Sequence, residues 1–413
     1  MPYVLGVDVG SGHTTAALRG HDDEGAVVLQ LDAETTSVES VLYLTDDDTV
    51  LVGRDAVIRA EHEPERVSRG FAGRVGDPVA PLLAGRPCPA EILTAALIAW
   101  VADRAVESEG SEPDTVVVTH PAGWGPHRRS LLGGALRQAG LTEVLLLPKP
   151  VAAAECHAAA HPPAEDDALA VFDLGEHDLA CAVTRYGQHG FALLSRAEPA
   201  EHLGGSRFDD LLTGHVLSEL GVRPDDLDPF DDAVRAAMAD LRLACRVAKE
   251  KLTDKPHTVV PTAPFGPAGV QVTRARLAGL IGPVVQRGVD LLQQTVRAAG
   301  REVGRVILTG GSARVPTVAE LVRAAAPGEV SVDPEPETAV ARGAALAGWR
   351  RLTRADPPVE QVRVPEQREE AGPLDPDAPT QPPRPPVAVA PLDLPRRRVR
   401  RRYAAGRSRR RAG

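Results

Sequence analysis

Two segments of the chain, residues 4–20 and 168–187, follow one pattern: an apolar strand, Asp-x-Gly, a polar turn and a second apolar strand. Each predicts a β-hairpin with an aspartate, Asp8 or Asp173, at the end of its first strand. The hairpins recur about 165 residues apart, which indicates a duplicated domain rather than a short-period repeat. Facing each other, they would present two carboxylates and two sets of turn amides to one ligand.

The segments beside these hairpins alternate between strand and helix patterns. The resulting β-α-β-α order predicts an α/β domain. The predicted elements are a strand in 114–124, a helix over 126–140, a strand in 143–150, a helix from 151, a long amphipathic helix over 231–252, a shorter helix from Thr273 and a strand in 305–312.

The composition changes after residue 352. Residues 357–395 contain twelve prolines and few large apolar residues, so we expect an extended, disordered linker over 353–395. The last 18 residues, 396–413, contain ten arginines and no acid. The net charge of −10 therefore combines a body of about −20 with a basic tail.

Cysteine usage and hydropathy narrow the class of protein. Cys88, Cys156, Cys181 and Cys245 lie far apart without a C-x-x-C pair, which favours buried thiols in a reducing compartment over a disulfide framework or a metal site. We expect neither a secretory signal nor a transmembrane segment, because the required apolar runs are missing. The prediction is a soluble, cytoplasmic protein.

Three glycine-rich turns are candidates for ligand contact, although each alone could be an ordinary turn. Gly10-Ser11-Gly12 follows Asp8 and could bring amides and a hydroxyl to an anion, with Asp8 facing a hydrated Mg²⁺. Gly204-Gly205 precedes a predicted helix, whose N-terminal amides favour phosphate. Gly310-Gly311-Ser312 ends a strand before Arg314, where a purine could lie against the backbone beneath the guanidinium.

In order and spacing, these features resemble the nucleotide-binding domain of the DnaK-type heat-shock chaperones, which have the actin-like ATPase (ribonuclease-H-like) fold. The resemblance extends over about residues 3–350. It is carried by HLGGSRFDD (202–210), ACRVAKEKL (244–252), VTRARLAGL (272–280) and PEPETAVARGAAL (334–346). It implies two α/β lobes, 1–167 and 168–352, around a nucleotide cleft, with the final helix packing back on the first lobe.

The resemblance also implies ATP or ADP as the ligand. The residues at matching positions are Asp8, Gly10, Ser11, Gly12, Asp173, Gly175, Gly204 and Gly205 on the phosphate side, and Lys249, Glu250, Gly310, Gly311, Ser312 and Arg314 on the adenosine side.

The positions that the resemblance assigns to hydrolysis depart from the family pattern. The second hairpin reads DLGEHD (173–178), so Glu176 and His177 replace glycines and Asp178 replaces the threonine beside the γ-phosphate. Arg69 aligns best with the family's catalytic lysine.

Lys149, between two prolines, stands where the family has an acid that orients water and the hydration shell of the metal. A lysine accepts no hydrogen bond and cannot do this. Its side chain either extends into solvent, or lies between Asp8 and Asp173 and replaces part of the metal's charge, or has a new catalytic role.

The sequence therefore predicts an ATP- or ADP-binding switch or scaffold, related to the chaperones, with weak or absent hydrolysis. One alternative is a slow ATPase in which Asp173 and Arg69 position water, Asp8 and Asp173 hold Mg²⁺ through water, and a peptide-binding partner acts in trans, since about 60 low-complexity residues follow the folded part. Another is an anchoring protein whose tail, 396–413, binds nucleic acid or an anionic membrane.

Overall fold

The computed structural model describes residues 2–353 apart from 33–34, 61–62, 200, 264 and 267–268. The predicted linker beyond Thr353 and the predicted Arg-rich tail, 396–413, lie outside the described residues.

The first half of the chain builds a sheet around its N-terminal strand. Its elements are β1 (Tyr3–Val9), β2 (His13–Gly20), β3 (Val27–Val28), β4 (Ser37–Glu39), β5 (Val41–Leu44), β6 (Val50–Val52), α1 (Arg54–Ala60), β7 (Val67–Arg69), β8 (Leu82–Leu83), β9 (Arg86–Pro87), α2 (Ala90–Glu109), β10 (Thr115–His120), α3 (Pro126–Gln138), β11 (Val144–Pro148) and α4 (Lys149–Ala160). The sheet order is β11-β10-β1-β2-β3, and β4 also pairs with β2.

The second half builds a sheet of its own. Its elements are β12 (Ala168–Leu174), β13 (Leu179–Gly187), β14 (Gly190–Ala197), α5 (Gly205–Glu219), α6 (Asp232–Asp254), β15 (His257–Val260), β16 (Val270–Thr273), α7 (Arg274–Ala299), β17 (Arg305–Thr309), α8 (Pro316–Ala325), β18 (Glu329–Val332) and α9 (Ala339–Thr353). The sheet order is β14-β13-β12-β17-β18.

The two sheets have the same topology. In each, a hairpin (β1–β2 or β12–β13) is extended by a third antiparallel strand on one side and by two parallel strands on the other. β1 and β12 are buried at every position except the aspartate, Asp8 or Asp173, which is partly buried. Strands covered on both faces read as continuous apolar runs, which explains the sequence pattern. The prediction of a duplicated α/β fold is confirmed.

The last helix connects the two halves. α9 follows the second sheet but packs on the first, where Ala341 and Ala345 contact Ala17 of β2. A further apolar cluster contains residues of both sheets and of α9, including Val4, Ile307 and Ala344. The core therefore continues beneath the cleft that separates the two sheets.

The prediction of a shorter helix from Thr273 is wrong. α7 spans 26 residues, against 23 for α6. Its buried stripe, including Leu277, Ile281 and Val285, continues past Pro283, and burial of this face holds the helix together where local propensity is weak.

The four cysteines are free, and all of them are buried as predicted. In the part of the chain that the structure describes, no helix combines the length and the apolar character needed to cross a membrane.

Candidate functional site

A cavity of about 620 Å³ lies between the two sheets, within the usual size range of small-molecule sites. Its walls come from the turns of both hairpins, the start of α4, the last turns of α6 and the turn after β17. It brings together these predicted residues: Asp8, Gly10, Ser11, Gly12, Lys149, Asp173, Gly175, Gly205, Lys249, Glu250, Gly310, Gly311, Ser312 and Arg314. Gly204 and Arg69 are not among its described lining residues.

The two hairpin aspartates have equivalent surroundings. The Thr119 hydroxyl, on β10, donates a hydrogen bond to Asp8, and the Thr309 hydroxyl, on β17, donates to Asp173 Oδ1 at 3.1 Å. Both threonines lie at the carboxyl end of the parallel strand next to the aspartate's strand. Sequence reasoning missed them, although the similar segments VVVT and VILT lie at or next to the ends of the two strands.

Lys149 is the first residue of α4, and its side chain turns inward. Its Nζ lies 3.0 Å from Asp8 Oδ1 and donates to the Val9 carbonyl at 3.2 Å, with 17% of the side chain exposed. The alternative in which this side chain extends into solvent is therefore wrong. β1 and β11 flank β10 and end at the same edge of the sheet, which brings the start of α4 next to Asp8.

The Lys149 ammonium thus contacts Asp8, and its charge also acts on Asp173. Burial acts to lower the pKa of Lys149, but Asp8 and Asp173 raise it above the ordinary value, so the lysine stays charged. Burial raises the pKa of Asp173 above its ordinary value. The charge of Lys149 acts to lower this pKa, and the charge of Asp8 acts to raise it.

A hydrated Mg²⁺ between Asp8 and Asp173 does not fit this arrangement, because the ammonium of Lys149 already lies against Asp8. Among the described residues, no three or more His, Cys, Asp or Glu side chains form a group that could hold a metal ion.

Glu176, in the second hairpin turn, reaches across to the first hairpin. His13 Nδ1 lies 2.9 Å from Glu176 Oε2, and Arg246 of α6 is 3.7 Å from the same oxygen. Arg246 also lies 3.2 Å from His13 Nε2. Burial acts to raise the pKa of Glu176, but the contact with His13 and the charge of Arg246 lower it to about 2. Glu176 is therefore ionised and links the two halves of the chain.

The amides at the start of α5 are already paired with this turn. Gly204 N donates to the His177 carbonyl at 3.1 Å, Gly205 N to the Gly175 carbonyl at 3.0 Å, and Ser206 N to the Glu176 carbonyl at 2.7 Å. A phosphate contact by Gly204 and Gly205 stays a prediction, since in this arrangement their amides bond to protein carbonyls.

Asp178 lines the cavity but turns mostly outward. Its side chain is 61% exposed, and its Oδ1 lies 3.4 Å from His202 Nδ1. Of these two departures from the family pattern, Glu176 is the one whose side chain contacts residues of both halves of the chain.

On the adenosine side, the predicted charges have internal partners. Lys249 Nζ lies 2.8 Å from Asp209 Oδ1 and donates to the Gly205 carbonyl at 3.1 Å. Glu250 is exposed on the cavity wall, 3.6 Å from Arg246 Nε. Sequence reasoning missed Asp209 as the partner of Lys249.

The base-side turn is held by Arg314 and by close packing. Arg314 makes two hydrogen bonds, of 2.8 and 2.6 Å, to the Glu337 carboxylate. Gly310 has φ +84°, and a Cβ there would lie 2.3 Å from the Leu174 carbonyl, so only glycine lets this turn approach β12 so closely. Ser312 donates to the Gly175 carbonyl at 2.8 Å and joins this turn to the second hairpin.

Arg69 lies on β7, which belongs to the separate three-stranded sheet of β5, β6 and β7. Its Nη1 is 2.9 Å from Glu39 Oε2, and half of the side chain is exposed. Its assignment as a catalytic cation remains a prediction.

Two sheets that share the same five-strand topology, facing each other across a cleft lined by paired Asp-x-Gly turns, define the actin-like ATPase fold class. Within this class, residues 75–350 match the family model described as Hsp70 protein. The chain belongs to the Hsp70 family.

Curated relatives agree with this assignment. The chain is 28% identical over 378 residues to "Chaperone protein HscA homolog" of Acidithiobacillus ferrooxidans, covering 83% of this chain and 57% of that protein. It is 30% identical over 366 residues to "Chaperone protein HscA" of Serratia proteamaculans, with coverages of 83% and 57%. "Chaperone protein DnaK" of Methanothermobacter thermautotrophicus is 28% identical over 362 residues, with coverages of 84% and 59%. The chain thus spans under two thirds of the length of these relatives.

Proposed function

We propose that this chain binds ATP or ADP in the cleft and acts as a nucleotide-dependent switch or scaffold in which hydrolysis is weak or absent. The observation that carries the proposal is the contact of Lys149 Nζ with Asp8 Oδ1, at 3.0 Å, in a cleft of the Hsp70 family. The chaperone names of the relatives support a chaperone-related role with a protein partner, and the proposed location is cytoplasmic.

The adenosine side of the cleft supports nucleotide binding. Gly310 and Gly311 give a flat backbone surface on which a purine can lie, and Arg314 is held beside it by Glu337. A planar guanidinium in a fixed position is suited to stacking on a base. Glu250, on α6, lines the same cavity and can accept a hydrogen bond from a ribose hydroxyl.

The phosphate side argues against efficient hydrolysis. Phosphoryl transfer depends on positioning the attacking water and on neutralising the charge of the transferred group. Lys149 contributes charge but accepts no hydrogen bond, so it cannot take the place of an acid that accepts a hydrogen bond from the attacking water. Because its ammonium lies against Asp8, we propose that it replaces part of the metal's charge and that nucleotide binding needs little Mg²⁺.

Calorimetric titration with ADP and with ATP, each with and without Mg²⁺, tests this proposal. For the natural chain we expect binding in all four titrations, with affinities that Mg²⁺ changes by less than about twofold, a fraction of 1 kcal/mol. For Lys149→Glu, which leaves three acidic side chains at this end of the cleft, we expect binding that Mg²⁺ strengthens at least about tenfold. Lys251→Glu, at an exposed position on α6, makes the same change of charge away from the site.

Failure of the natural chain to bind either nucleotide would overturn the proposed function. If the natural chain and Lys149→Glu depended equally on Mg²⁺, the proposal that Lys149 replaces part of the metal's charge would be wrong. Turnover separates the proposal from the slow-ATPase alternative: a rate above about 10⁻³ per second, in the range of unassisted phosphoryl-transfer switches, would favour the working ATPase.

A further inference from the structure

We infer that Glu176 determines which adenosine ligands the cleft prefers: its carboxylate lies between the two hairpin turns, so that adenosine and its monophosphate enter more easily than the di- and triphosphate. The inference rests on the proposed function, since it concerns the same cleft. It adds a specificity-determining residue and names the class of ligand that this residue disfavours.

The first support is the position of the side chain. Glu176 Oε2 would lie only 1.9 Å from a Cβ placed on Gly12, so the carboxylate is packed directly on the glycine of the first turn. Gly12 and Gly175 belong to the two turns that face each other across the cavity. A chain of phosphates that passed between these turns would have to move the Glu176 side chain.

The second support is what the carboxylate is bound to. His13 and Arg246 are both in contact with Glu176, and they come from opposite walls of the cleft, β2 and α6. Both residues also line the cavity beside the hairpin turns. A phosphate group must therefore compete with Glu176 for the same two partners.

The third support is the pairing of the neighbouring cations. Lys149 lies against Asp8, Lys249 against Asp209 and Arg314 against Glu337. If one of these three cations bound a polyphosphate instead, its carboxylate partner would lose its positive charge partner. Each added phosphate brings more negative charge towards Glu176, so the penalty grows from adenosine to ATP.

The test compares the affinities of adenosine, AMP, ADP and ATP, by calorimetry in Mg²⁺-free buffer, among three proteins. They are the natural chain, Glu176→Gln, which keeps the shape and removes the charge, and Glu201→Gln as the matched control. Glu201 lines the same cavity but is 69% exposed and pairs with Arg287, away from the two turns. Thermal unfolding followed by circular dichroism checks that every variant is folded.

For Glu176→Gln we expect ADP affinity to rise at least about tenfold, equivalent to 1.4 kcal/mol, while adenosine affinity changes less than about twofold. Glu201→Gln should leave both affinities within about twofold of the natural chain. If Glu176→Gln does not fold, Glu176→Gly carries the test, with the same expected direction.

Two outcomes separate this inference from the proposed function. If adenosine ligands bind but the ratio of ADP to adenosine affinity is the same in the natural chain and in Glu176→Gln, the inference is wrong and the proposed function stands. If no adenosine ligand binds any of the proteins, both fail together.

Discussion

Lys149 places a positive charge against Asp8 and close enough to Asp173 to affect its pKa. Opposite unit charges about 4 Å apart attract by roughly 4 kcal/mol at an effective dielectric constant of 20. Much of this is offset by the cost of removing both groups from water, so the net contribution of such a pair is small. Removing the ammonium alone is different, because the largely buried carboxylate of Asp8 would lose the cation that it contacts while the charge of Asp8 still acts on Asp173.

Lys149→Met tests whether removing only the cation of this ion pair destabilises the protein. Methionine keeps most of the side-chain volume and removes the ammonium, so we expect the free energy of unfolding to fall by about 3 kcal/mol, as when a buried ion pair loses one member. Urea unfolding followed by circular dichroism measures the change. Lys251→Met makes the same chemical change at an exposed position and should stay within about 0.5 kcal/mol. Equal losses in the two variants would contradict this account.

The residue-scale geometry could be predicted only in part from the sequence. The position of Lys149 after a strand and before a helix indicated the mouth of the site, but the pattern alone left its direction open. The contact of Glu176 with His13 was not predicted, because it joins turns from the two halves of the chain across the cleft. Local patterns carry no information about which side chains meet across such a gap.

At the scale of single elements, α7 shows how packing overrides weak local propensity. The helix contains Gly279, Gly282 and Pro283, each of which lowers helix propensity. Its apolar face nevertheless remains buried from Leu277 to Leu292 against the second sheet. A helix held mainly by burial depends on well-defined ends, and Thr273 caps its start by accepting a hydrogen bond from Arg276 N at 3.1 Å.

Thr273→Ala removes this cap and should lower the free energy of unfolding by about 1 kcal/mol. Thr273→Ser keeps the hydroxyl at the same position and serves as the matched control, with an expected loss of less than about 0.5 kcal/mol. Both changes are measured by urea unfolding. A serine variant as unstable as the alanine variant would show that the threonine acts through its methyl group rather than through the cap.

At the scale of the whole molecule, the repeated hairpins predicted the duplication and the two sheets follow it. What could not be predicted from pattern is how the halves meet. Gly6 and Ala344 lie in apolar stretches whose sequence pattern does not differ from that of other buried segments. In the structure, however, β1 and α9 approach each other at these two residues. Sequence shows that such residues are buried but not which surface buries them, because that depends on contacts far apart in the chain.

α9 is the helix of the second half that packs against the first half. It crosses α4 at Gly343, where a Cβ would lie 1.7 Å from the Ala152 carbonyl, and near its end Arg350 pairs with the buried Glu155 of α4. The helices can approach this closely only because Gly343 has no side chain. The first residues of α4, Lys149 and Pro150, line the cavity, so α9 packs against a helix that forms part of the cavity wall.

Gly343→Ala should therefore lower the free energy of unfolding by about 2 kcal/mol or more, since the added methyl group forces α4 and α9 apart. Gly279→Ala, at an exposed position of α7 with no atom within 4 Å of the added Cβ, should instead stabilise the protein by up to about 1 kcal/mol. Urea unfolding of the two variants measures whether the free energy of unfolding changes in opposite directions.

If Gly343→Ala also binds ADP more weakly while Gly279→Ala does not, the α4–α9 crossing controls the cleft as well as the stability of the fold. Stabilisation by both substitutions would show that the two helices can separate freely, and the close crossing would then not be what holds the halves in place.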